Sequence, residues 1–129
     1  MAFGDTGGII VELMLTCMTS TKGEVNIKKG DALSMTGEPY GVSNSYAYAG
    51  LFGQARADST TNSAAIAVMV RGVAPHMRVD PGSSPIAVRD LVVATRGGYV
   101  ARAVTCDRRS SIRGTVLKVW EDGTVDVLL

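Results

Sequence analysis

The chain has 129 residues, of which 46% are hydrophobic and 19% charged, with thirteen basic against twelve acidic side chains. A net charge of +1 excludes the clustered positive excess of a strongly basic nucleic-acid binder. No apolar run approaches the ~18–20 residues of a membrane-spanning helix, so neither nucleic acid nor membrane is an expected partner.

In chain order, residues 1–8 carry Gly4, Gly7 and Gly8 and little to bury. They read as a flexible N-terminal arm ahead of a single β-rich domain over residues 9–129. Ile9 to Leu15 is strand-like. Its apolar run is broken only by Glu12. Val25 to Lys28 alternates apolar and polar residues, as a strand buried on one face does. Lys29-Gly30-Asp31 makes a turn into a strand beginning Ala32-Leu-Ser-Met. Glu38-Pro39-Tyr40-Gly41 is a second turn, because proline presets φ at the first corner and glycine tolerates the other. Residues 43–50 are small and polar and leave room for one helical turn. Leu51 to Ala57 resumes an extended pattern.

Ala64 to Val73 is the strongest central strand. Ile66, Val68 and Val70 lie on one side and Ala65, Ala67 and Met69 on the other, so both faces are expected to be buried. The turn-rich stretch Asp80-Pro-Gly-Ser-Ser-Pro85 divides the chain into halves. Beyond it come four short strands with hairpin signals at Gly97-Gly98 and Asp122-Gly123, both able to adopt φ > 0. In the last strand Val125, Val127 and Leu129 alternate with Asp126 and Leu128. No window sustains the i, i+3, i+4, i+7 pattern of a capped helix. The expected fold is all-β: a compact barrel or sandwich of short antiparallel strands.

The halves echo one another. Asp31 and Asp90 each open a strand, and glycine–tyrosine turns follow each. Gly53 and Gly114 then open a further strand, 22 and 24 residues after the aspartate, and a polar turn leads to a closing strand. Two similar β-units are therefore expected. Gly53 and Gly114 should hold equivalent places where backbones approach closely.

Catalytic groups are scarce. His76 is the only histidine, so a His-rich zinc site is ruled out, and no Cys-x-x-Cys or His-x-x-x-His spacing supports a metal. Glycine-rich phosphate loops and the Gly-x-Ser-x-Gly elbow are absent from the sequence. No cofactor is expected, and the chain does not read as an enzyme. Cys17 and Cys106 are expected as reduced thiols, since the first residues lack the basic stretch of a secretory signal. Trp120, just before the Glu-Asp-Gly turn, should cover the end of the core.

The stretch from Asp90 onward resembles the capsid decoration, or cement, proteins of tailed bacteriophages. The similarity lies in Asp90-Leu-Val-Val, in Gly97-Gly98-Tyr99-Val-Ala-Arg-Ala, and in Ile112-Arg-Gly-Thr-Val-Leu-Lys-Val with the closing Gly123-Thr-Val-Asp-Val-Leu-Leu. Similar pieces occur in Gly30-Asp31-Ala-Leu-Ser-Met-Thr-Gly and Leu51-Phe-Gly-Gln-Ala. The resemblance implies a virion protein on the capsid exterior, assembled in the host cytoplasm as a homotrimer or other homo-oligomer. Its partner would be the major capsid protein, whose subunits it would bridge to stabilise the shell. The partner-binding residues expected are Phe3, Ile9, Ile10 and Val11, in the segment 1–15 that could pair with a capsid strand edge, together with Tyr46 and Tyr48. The alternative is a carbohydrate- or receptor-binding β-module of a phage fibre or tail, with Tyr40, Tyr46 and Tyr48 as its stacking surface.

Overall fold

The strand faces are set by alternation. In the computed structural model, which describes residues 12–103 and 114–129, every regular element is a strand. The first sheet contains β1 (Leu13–Met18), β2 (Ala32–Met35), β3 (Val42–Ser43), β4 (Gly53–Ala55) and β5 (Ala65–Arg71). The second contains β6 (Val73–Met77), β7 (Leu91–Thr95), β8 (Tyr99–Arg102), β9 (Gly114–Val119) and β10 (Val125–Leu128). Neighbouring strands run β1-β5-β4-β2-β3 in one sheet and β6-β10-β9-β7-β8 in the other, all antiparallel.

These are the same order, five strands apart, so the expected duplication is a fact of the fold. Its register can be followed residue by residue. Ala32 and Leu33 pair with Gln54 and Gly53, as Leu91 and Val92 pair with Thr115 and Gly114. Asp31 accepts the Lys28 amide and donates its own to the Lys28 carbonyl, and Asp90 does the same with Ala87. Each sheet curls until a parallel bridge joins its two edges, Met18 of β1 to Gly41 just before β3, and Val79 just after β6 to Val100 of β8.

Gly53 and Gly114 occupy the same crossing. A Cβ on Gly53 would lie 2.6 Å from both the Met69 carbonyl oxygen and a Val68 methyl. One on Gly114 would lie 2.2 Å from a methyl of Val127, the counterpart of Val68. No side chain fits at either place.

Inward residues build one core per unit. Cys17, Leu33, Val42, Ala55, Ile66 and Val68 fill the first. Met77, Val92, Val100, Val116, Val125 and Val127 are their counterparts in the second. The second core also takes in Ala32, Leu51 and Met69 from the first unit, so the two units form one hydrophobic body. Val125 and Val127 face inward as the alternation requires, and Leu129 packs beside them.

Several expectations need correction. Ala64 to Val73 is two strands, because Gly72 turns the chain at φ +127°. The boundary between the units falls there and not at Asp80–Pro85. On β5 only Met69 is buried on the second face, whereas Ala65 and Ala67 are exposed. Val25 and Ile27 are buried in the first core, yet their segment makes only an isolated bridge from Ile27 to Ser59. Residues 43–50 hold no helical turn, and Ala49 instead bridges to Ala94 of β7. In the Glu38–Gly41 turn the left-handed corner falls on Tyr40, at φ +55°. Gly41 is needed for space, since a Cβ there would meet the Thr36 hydroxyl.

Candidate interaction surface

Three places gather side chains with something to bind. The first is the seam between the units, centred on Asp31, which is 2% exposed. Its carboxylate accepts from the Lys28 amide, from Asn44 Nδ2 and from the Arg78 guanidinium of the second unit. Arg78 also donates to the Gly97 carbonyl and lies over the Tyr99 ring, 4.6 Å from its centroid. Gly98, at φ +80°, leaves room for Asp31, because a Cβ there would lie 2.3 Å from the carboxylate carbon. Tyr99 is thus engaged by Arg78. A buried carboxylate with this many donors is held in place as a staple and has no free lone pair aimed at solvent.

The second place surrounds His76. β6 carries one residue more than β1 between its paired positions, and this bulge falls at Pro75–His76, opposite Asp126. His76 sits there at φ +50°. Its amide and the Trp120 Nε1–H both donate to Asp126 Oδ1, at 3.0 and 2.7 Å. Its ring stacks on Trp120 with centroids 4.5 Å apart, and Lys118 Nζ lies 3.6 Å from the indole centroid. His76 Nδ1 is 3.0 Å from Thr124 Oγ1, which gives its own proton to Asp122 Oδ1 at 2.6 Å. With the hydroxyl proton committed to Asp122, the histidine contact requires Nδ1–H to donate. His76 therefore does not act as a base toward Thr124, and the chain Asp122–Thr124–His76 is a brace, not a nucleophilic triad. The hydrogen bonds from Thr124 hold the Asp122 carboxyl below its usual range. His76, Lys118, Trp120 and Asp122 line an open groove of about 570 Å³. Trp120 does not close the end of the core as expected. It is spent on these intramolecular contacts.

The third place is apolar. Leu15, Met35, Pro39, Tyr40, Gly41 and Phe52 line a recess of about 300 Å³ at the mouth of the first unit. Tyr40 is 66% exposed and Met35 50%. Leu13, Met14 and Met18 on β1 are also exposed. On the second unit Leu91, Leu117, Val119 and Leu128 stand exposed on the outer sheet. Apolar side chains on regular strand faces are the composition of contact surfaces.

Of the expected partner-binding residues, Phe3, Ile9, Ile10 and Val11 lie outside the described residues. So does Cys106. Tyr46 and Tyr48 are exposed on the loop between β3 and β4, apart from the recess that Tyr40 lines. Cys17 is a buried free thiol whose pKa burial pushes up. Among the described residues no cluster of His, Cys, Asp and Glu could hold a metal ion. Sequence reasoning missed Leu91, Leu128 and Met35, whose exposure depends on which sheet face meets the other unit. In comparisons with known proteins, no family model matches the chain and no curated protein matches it.

Proposed function

We propose that the protein is a structural component that works by broad contact with other subunits, and that its particular role is to decorate the outside of a tailed-phage capsid. There it would bridge neighbouring capsid subunits and stabilise the shell. The observation that carries this reading is the placing of exposed Leu, Met and Val side chains along regular strand faces of both units, on a body whose buried polar groups serve to brace the fold. The likeness of the strand pattern after Asp90 to cement proteins supplies the partner. Weak contacts of this kind, repeated over a shell, gain strength by multivalency without any tight single site.

The test is co-sedimentation of the purified protein with undecorated heads and, separately, with free capsid subunits. Binding to heads and not to subunits is expected. Failure to pellet with heads sinks the reading. One observation favours the sugar-binding alternative: Tyr40 is held outward in a left-handed conformation, and backbone strain of this kind gathers at binding sites. A glycan-array signal lost in Tyr40→Ala would establish that alternative.

A further inference from the structure

The duplicated fold contains one copy of an interface for which it has the parts of two. In the first unit, Ala32, Gln54 and Met69 form one row across β2, β4 and β5, continued by Met14 on β1. The first three are 0%, 2% and 0% exposed, because the row lies against the mouth of the second unit. There Ala32 and Met69 join Ala74 and Ala94 in the second core, with Leu51 beside them. Gln54 Nε2 donates to the Pro75 carbonyl at 3.0 Å.

Both halves of this contact recur, unoccupied among the described residues. By register the row Ala32–Gln54–Met69–Met14 corresponds to Leu91–Thr115–Leu128–Val73 on the second unit. Leu91 is 43% and Leu128 46% exposed. By the same register the covered mouth residues Ala74 and Ala94 correspond to Leu15 and Met35 on the first unit, which line the open recess. The row has become more apolar where it is exposed, Leu91 and Leu128 replacing Ala32 and Met69. The recess has become larger-lipped and more apolar, Leu15 and Met35 replacing two alanines.

We infer that a second copy of this chain fills the recess, with the Val73–Leu91–Leu128 row of one molecule seated on Leu15, Met35, Tyr40 and Phe52 of the next. The contact is head-to-tail. Such an interface closes into a ring or runs on as a chain, according to the rotation it imposes. At one corner it departs from the intramolecular version. Tyr40 stands where the second unit has Gly98, each at positive φ, so the Asp31 staple has no seat there. Its counterpart Asp90 turns instead to Arg102 of its own unit, at 3.6 Å. The intermolecular contact thus lacks the buried ion pair and is mainly apolar, Thr115 being the one polar member of the row, with Tyr40 as its lid. It stands whatever surface the assembled protein binds, so its failure leaves the capsid reading intact.

The test uses the full chain and two charge substitutions at half-exposed positions. Met35→Glu spoils the recess and Leu128→Glu spoils the row. The wild type should sediment above its 13.5 kDa monomer mass, and each variant alone should run as a monomer. Mixed together they should form a species of twice that mass and no larger, because each retains the face the other lacks. A wild type that stays monomeric throughout a dilution series overturns the inference. So does either variant that still assembles alone, or a mixture that stays monomeric. Should a variant fail to fold by circular dichroism, Tyr40→Glu and Leu91→Lys probe the same two faces.

Discussion

Gly30 and Arg89 hold the same place in the two units, each just before the aspartate that opens a strand. Both have positive φ, +97° and +81°. Their amides bond the equivalent carbonyls of Ala55 and Val116, so the backbone demands the left-handed conformation whichever residue is present. A residue with a Cβ adopts it at a cost of about 1–2 kcal/mol. Arg89→Gly should therefore stabilise the protein by up to about 1 kcal/mol, part of the relief being offset by the freer unfolded chain. Gly30→Ala should destabilise it by about 1 kcal/mol. Urea denaturation of both variants checks the pair. If the two shifts share a sign, the strain argument fails. The sequence showed the glycine and gave no sign that Arg89 shares its conformation, because left-handed φ at arginine is imposed by the ladder around it.

The β9–β10 hairpin shows how a turn is legible while its contacts are not. Asp122-Gly123 marks the turn, and Gly123 adopts φ +88°, with its amide donating to the Trp120 carbonyl. That follows from local chemistry. The contact of Thr124, which donates to Asp122, with His76, 48 residues back in the chain, follows from the bulge in β6. Asp122 is a carboxylate whose pKa is lowered in the fold from an ordinary 3.8. Such a group stabilises the fold above its unfolded pKa and loses that contribution as pH falls through the folded value. The wild type should thus exceed Asp122→Asn in melting temperature at neutral pH, and the gap should narrow as pH drops below 3.8. A gap independent of pH would show that the carboxylate charge is not what matters. Apolar runs bounded by turns mark β2 and β5, and alternation marks β7, β9 and β10. It placed a strand at Val25–Lys28 because buried loop residues and strand residues share the same alternating pattern.

At the scale of the molecule, the two units are unequal partners. Leu51 belongs to the first by sequence, and to the second core by packing, where it is 2% exposed. Leu51→Ala should cost about 2–5 kcal/mol through the lost burial and the cavity left behind. It should speed amide exchange in β7 and β9 of the second unit before β1 of the first. Exchange that rises first in β1 would show that the cores do not divide as described.

What the sequence determined by itself was the local chemistry: all-β structure, glycine turns, and a duplication visible in the spacing of Asp31, Gly53, Asp90 and Gly114. These follow from side-chain period and backbone freedom, which act over a few residues. The tertiary structure decided which outward faces are covered. Ala32 and Leu91 have the same place in their units and similar neighbours in sequence. One is buried and the other exposed, because only one of the two units has another docked against that face.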